Sequence, residues 1–187
     1  SGALRRRYGL SDDALIVGAV TRFFPVAGTR YLLDAFPRVL AAVPSARLLV
    51  VGEGVERDVL ERQARRLGIA PFVIFASMRE DIAAHLRLCD LAVVSATDDG
   101  VSLAAVEALS AGVPLVATRV GGLTSVVRDG ENGILVPPGD ADAMASAIIR
   151  VLRNPVLRGE LAARIDAAGR GGTFDEMADL PPRAANA

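Results

Sequence analysis

The feature that most constrains this chain is an alternation: short, continuous apolar runs rich in β-branched residues recur along it, and longer stretches of helical period separate them. A strand that is apolar at successive positions is buried on both faces, and intervening helices let consecutive strands lie parallel. The chain therefore reads as an α/β domain, with a parallel sheet of about six strands flanked by helices. Strands are expected at Leu15 to Val20, Arg47 to Val51, Val73 to Phe75, Leu91 to Ser95, Leu115 to Thr118 and Ile134 to Val136. Helices are expected at Gly28 to Ala42, Val55 to Leu67, Asp81 to Leu88, Ser102 to Ala111, Leu123 to Val127, Ala141 to Arg153 and Val156 to Ala168. Pro37 is expected to kink the first helix or end it early, because proline donates no hydrogen bond and its ring crowds the preceding turn. The domain is placed at residues 1–168. From Gly169 onward glycines and later prolines break the pattern, so 169–187 reads as a frayed or disordered tail.

Composition narrows the function. With 187 residues and 51% hydrophobic content, the chain has the size of one Rossmann-like unit and can bury a substantial core. A formal net charge of -1 gives no basic field to gather phosphates along a nucleic acid, so nucleic acid is not an expected partner. Every basic residue except His85 is arginine, and none is lysine. Cys89, the single cysteine, reads as packing, and no metal-ligand cluster is evident. His85 reads as a surface or packing residue. No apolar run approaches the roughly 20 residues that span a bilayer. The start carries arginines without a following apolar signal segment and reads as cut from a longer protein.

In an open parallel sheet, ligands bind beyond the carboxyl ends of the strands, so the segments after each strand are where chemistry is sought. After the first strand, Arg22 would project toward a ligand beside a helix N-terminus and could hold a diphosphate through charge-assisted hydrogen bonds. After the second, Gly52-Glu53-Gly54 permits close backbone approach or a tight turn. Arg57 stands where a dinucleotide fingerprint has its last glycine, which removes support for a nicotinamide or flavin cofactor. After the third, Met78 could form a wall against a nucleobase or belong to the core.

After the fourth strand, Asp98 and Asp99 lead into Gly100, Val101, Ser102 and Leu103 and then an almost wholly apolar helix that contains Glu107. A helix this apolar is expected to be buried, and a buried carboxylate needs partners; a pair of ligand hydroxyls would serve. The N-H groups at Val101 to Leu103 suit a phosphate or sugar oxygens. Asp99 and Glu107 lie about 12 Å apart along the helix, enough to address different parts of one ligand. The alternatives are that Asp99 caps the helix and Glu107 pairs with an arginine.

The stretches "VGAVTRFFPVAG", "LLVVGEG", "VIFASMREDI", "CDLAVVSATDDGVSLAAVEALSAGVPLVATRVGG" and "DGENGILVPPGDADAMASAI" resemble, from about Tyr8 to Ala168, the C-terminal domain of retaining glycosyltransferases of family 4, which have the GT-B fold of two Rossmann-like halves. The resemblance implies a domain that binds a nucleotide diphosphate sugar as donor substrate, with no further cofactor and no metal. It implies that Glu107 binds the ribose hydroxyls, Asp99 the hydroxyls of the transferred sugar and Arg22 the diphosphate, so that Arg22 and Asp99 are the catalytic candidates. Gly54, Met78, Gly100, Val101, Ser102 and Leu103 complete the donor-binding set. The implied partner is an N-terminal acceptor-binding domain. The implied location is the cytoplasm, with peripheral contact to the inner membrane left open for a full-length protein.

Three positions depart from the family's pattern: Ala27 replaces a phosphate-binding lysine, Asp99 a glutamate and Ser77 a glycine. Arg30 is a candidate to replace the lost cation. The rival readings are a non-catalytic scaffold or nucleotide-binding domain derived from this fold, and a nucleotide-sugar enzyme of the epimerase type.

Overall fold

The computed structural model describes residues 2–77, 81–98 and 103–170. The elements run α1 (Gly2–Arg7), β1 (Leu15–Arg22), α2 (Thr29–Ala42), β2 (Ala46–Glu53), α3 (Arg57–Arg66), β3 (Val73–Ala76), α4 (Ile82–Leu86), β4 (Leu91–Val94), α5 (Leu103–Ser110), β5 (Leu115–Thr118), α6 (Gly121–Val126), β6 (Gly133–Val136), α7 (Ala141–Leu152) and α8 (Pro155–Arg170). The six strands form one sheet in the order β3-β2-β1-β4-β5-β6, with every neighbouring pair parallel.

The continuous apolar runs split by residue parity into two layers. Val17, Ala19, Leu48, Val50, Leu91, Val93 and Val116 face one layer with α2, α3 and α7. Ile16, Val20, Leu49, Val51, Ala92, Val94, Leu115 and Ala117 face the other with α4, α5 and α6. α8 joins the two, since Leu161 packs in the first layer and Ile165 in the second. Covering both faces is why the strands lack polar alternation.

All six expected strands are present. β1 and β2 run further than expected, to Arg22 and Glu53, because their pairing continues through Arg22↔Glu53. The expected helices are present with small shifts at their ends. α2 runs through Pro37 to Ala42, the end expected for this helix, so the proline does not end it early. Leu32, Leu33, Phe36 and Val39 are fully buried against the sheet and α7, and that packing outweighs the hydrogen bond missing at the proline nitrogen. α8 reaches Arg170, past the expected boundary at Ala168, and residues 171–187 lie outside the described ones. α1 has no counterpart among the expected helices. It is too short to be stable alone and is held by tertiary contacts: Leu4 and Tyr8 pack on the second layer, and the Arg5 guanidinium donates to Ser11 O at 2.8 Å.

His85 is buried, with Nδ1 2.7 Å from Asp81 O and Nε2 2.8 Å from the Tyr8 hydroxyl, so it ties α1 to α4. Burial pushes the Cys89 thiol up to about 12, which leaves it a packing group that donates to His85 O.

At the start of α2, the Thr29 hydroxyl is buried and has no hydrogen-bond partner. A polar atom in that position costs its desolvation energy without return. Thr29→Val keeps the shape and removes the orphan, and is expected to stabilise the fold by about 1 kcal/mol in denaturant unfolding.

A candidate nucleotide-binding cleft at the switch point

β1 hands the chain to α2 on one face of the sheet, whereas β4 hands it to α5 on the other. Adjacent strands whose connections diverge leave a crevice between their carboxyl ends, the usual ligand position in doubly wound sheets. A cleft of about 500 Å³ opens there, within the range of small-molecule sites. Its walls include Arg22, Val26 and Ala27 from the β1 side and Ser95, Asp98, Leu103 and Glu107 from the β4 side.

The two walls are bonded to each other at their base. After Arg22 the chain buries Phe23, turns through a single 3-10 turn at Pro25–Ala27, and reaches Gly28 at φ 66°. A side chain on Gly28 would collide with Ser95 O, so only glycine allows this loop to lie on the end of β4. Across the contact, Ser95 Oγ donates to Ala27 O at 3.0 Å, and Thr97 donates to Val26 O from its amide at 2.9 Å and from its hydroxyl at 3.2 Å.

Arg22 is exposed, is the only basic side chain lining the cleft among the described residues, and makes no ion pair or side-chain hydrogen bond there. Its register neighbour Glu53 instead accepts from Ser77 Oγ at 2.6 Å. Glu107 likewise has no side-chain partner among the described residues. The expectation that it is buried is corrected. Ala105, Val106, Ala108 and Leu109 carry the buried face of α5, while Leu103 and Glu107, one turn apart, share the face turned to the cleft. Crowding against the cleft wall still raises the Glu107 pKa above the ordinary carboxylate value, by desolvation and with no cation to offset it. The alternative of an arginine partner for Glu107 therefore has no support in the structure.

Other expected site residues fall elsewhere. Gly54 does not line the cleft; a Cβ there would lie 2.6 Å from Phe23 O, so this glycine admits the backbone after β1. Arg30 is not a substitute cation, because its guanidinium is committed to Glu56 at 2.7 Å. Arg57, at the absent fingerprint glycine, reaches Phe75 O and Glu61. Asp99, Gly100, Val101, Ser102 and Met78 lie outside the described residues. Sequence reasoning gave no site role to Asp98, which lines the cleft, or to Ser95 and Thr97, whose bonds set its base; a polar residue beyond a strand end was the signal available. Among the described residues, no cluster of three or more His, Cys, Asp or Glu side chains converges as a metal site would, and no helix is long and apolar enough to cross a membrane.

A parallel sheet wound in this order, with its crevice between β1 and β4, is the architecture of one Rossmann-like half of a GT-B glycosyltransferase. The chain belongs to the glycosyl transferases group 1, whose pattern it matches over residues 2–171. It is 33% identical to a GDP-mannose-dependent alpha-(1-6)-phosphatidylinositol monomannoside mannosyltransferase of Mycolicibacterium smegmatis, over 92% of this chain and 46% of the relative. It is 37% identical to a D-inositol 3-phosphate glycosyltransferase of Stackebrandtia nassauensis, over 95% of this chain and 42% of the relative. The chain thus spans about half the length of these curated relatives. The crystal structure of Anabaena HepE in complex with UDP superposes with a TM-score of 0.83 at 28% identity, covering 95% of this chain and 51% of that one. The C-terminal domain of a glycosyl transferase group 1 family protein from Francisella tularensis superposes with a TM-score of 0.76 at 25% identity, covering 83% of this chain and 85% of that one.

The raised pKa of Glu107 fixes the sign of a pH effect. The folded chain holds this proton to higher pH than the unfolded chain, so stability falls as pH rises through the window between the ordinary and the raised value. Glu107→Gln removes that loss. The variant is expected to melt at least as high as the native chain at neutral pH, with the margin vanishing below the ordinary carboxylate range, as thermal unfolding from about pH 3 to about pH 8 would read.

Proposed function

We propose that this chain is the donor-binding domain of a retaining glycosyltransferase of the family 4 kind, taking a nucleotide diphosphate sugar from which the sugar passes to an acceptor hydroxyl. The observation that carries the reading is a pair of side chains in one cleft that are uncompensated among the described residues: Arg22 without an anion and Glu107 without a donor. A nucleoside diphosphate supplies both, with its phosphates for the guanidinium and its ribose diol for the carboxylate. HepE, solved with UDP, and a second structure of it with UDP and glucose support a ligand of this class.

In this reading, negative charge gathers on the diphosphate as the sugar leaves. Arg22 and the positive end of the α5 dipole stabilise it electrostatically, so the step is metal-independent. Asp99 holds the hydroxyls of the transferred sugar, as its place in the motif implies, while Gly100, Val101, Ser102 and Leu103 line the phosphates and Met78 the base. Gly54 acts by admitting the backbone at Phe23, next to Arg22. The acceptor belongs to an N-terminal domain, and the exposed Val26 and Leu103 at the cleft form an apolar rim suited to burial beneath it. The location that goes with this reading is the cytoplasm, with any peripheral contact to the inner membrane made through that other domain.

Calorimetric titration with UDP, GDP, ADP and their sugar conjugates tests the reading. One nucleotide is expected to bind, with Arg22→Ala and Glu107→Ala each weakening it by roughly ten- to a hundredfold, the loss of a charge-assisted bond. Ala27→Lys places a second cation at the cleft and is expected to tighten binding, more so at low salt. If no nucleotide binds even at millimolar concentration, the scaffold reading replaces this one.

A donor diol favours the ionised form of Glu107, so binding is expected to release protons. Affinity should strengthen as pH rises through the raised pKa of the free carboxyl. Titration of the same nucleotide in buffers of different ionisation enthalpy reads this directly, and Glu107→Gln should remove the release.

A further inference from the structure

We infer that Thr118 is a positioning residue for the cleft, holding the strand-end segment that sets Arg22 and Glu107 against each other; the inference rests on the donor-binding reading. Thr118 ends β5, is fully buried, and does not line the cleft. Its hydroxyl donates to Ala96 O at 2.6 Å, with Val94 O at 3.4 Å. The pairing of β4 with β5 ends at Val94↔Ala117, so the chain leaves the ladder at the point where its next carbonyls need donors. The Thr118 hydroxyl supplies one. A valine would fill the same space and suit a strand equally well, so nothing about packing on β5 requires a hydroxyl here.

The consequence lies one segment away. Ala96 itself lines the cleft, and its neighbours Ser95 and Thr97 donate to Ala27 O and Val26 O in the loop after Arg22. The segment 95–97 is therefore gripped from two sides, by β5 through Thr118 and by the β1 loop through three hydrogen bonds. It forms the base between the wall that carries Arg22 and the helix that carries Glu107. With the β5 grip removed, Ala96 O loses its donor, and the segment is free to shift toward the β1 loop or toward water. A bound ligand that needs both walls at a fixed separation then has to restore that order on binding.

The test compares the native chain with Thr118→Val, Thr118→Ser and a control, Leu161→Ala, which empties a fully buried position on α8, in the helical layer opposite the one that holds α5. Amide exchange and titration with UDP, GDP and ADP are both measured. Thr118→Val is expected to speed exchange of the Thr97 amide and to weaken the nucleotide by roughly tenfold, Thr118→Ser to restore both, and Leu161→Ala to lower global stability with affinity unchanged. Native exchange and affinity in Thr118→Val overturn the inference. So does the same local loosening and affinity loss in Leu161→Ala, which would mark the effect as general destabilisation. If the native chain binds none of the three nucleotides, the donor-binding reading fails and this inference fails with it; intact native binding with an unaffected Thr118→Val overturns this inference alone.

Discussion

The structure depends on one topological constraint, the reversal of winding between β1 and β4. A right-handed crossover from β1 puts α2 on one face of the sheet, and the crossover from β4 puts α5 on the other, so neither connection can cover the gap between these two strand ends. The cleft is a consequence of chain direction, and no residue has to be spent on keeping it open. What the local sequence adds is closeness. Gly28 lets the β1 loop settle on Ser95, and Gly54 lets the chain after Arg22 pass over the end of β2. A side chain at Gly28 would drive the walls apart, and one at Gly54 would displace the backbone at Phe23.

The second constraint is electrostatic. Several surface arginines are paired: Arg30 takes Glu56, Arg57 takes Glu61 and Arg119 takes Asp129. Arg22 and Glu107 share one cleft and have no such partners. For Glu107, desolvation against the cleft wall raises the pKa. In the proposed function, a ligand with an anionic part and a donor part gives both groups a partner. Exposed surface pairs contribute little to stability, so the contrast concerns placement more than energy.

The sheet was legible because a doubly covered strand has only one simple signature, a short run with no polar alternation, and each run sits between helical stretches. α1 was not legible. It lacks a caps-and-period pattern of its own and exists because Leu4 and Tyr8 find the second layer and Arg5 finds the carbonyls of Ser11 and Ala14. At Pro37 local propensity allows an early end to the helix, and the burial of Phe36 and Val39 on either side carries it on to Ala42. Arg22 and Glu107 could be singled out because a charge just past a strand or inside an apolar helix is anomalous locally. Ser95, Thr97 and Thr118 could not, since a hydroxyl is ordinary in each of those places and only its distant partner gives it a role.

The sequence alone determined the strands and the helices other than α1, their parallel arrangement and the residue types available at each strand end, because these follow from periodicity within windows of a few turns or strands. Tertiary structure decided which of those groups share a cleft, that Glu107 faces it instead of the core, that Arg30 and Gly54 do not line it, and that Thr118 reaches Ala96. Those outcomes depend on strand order and on which face each helix covers, and both are set by packing between segments far apart in the chain.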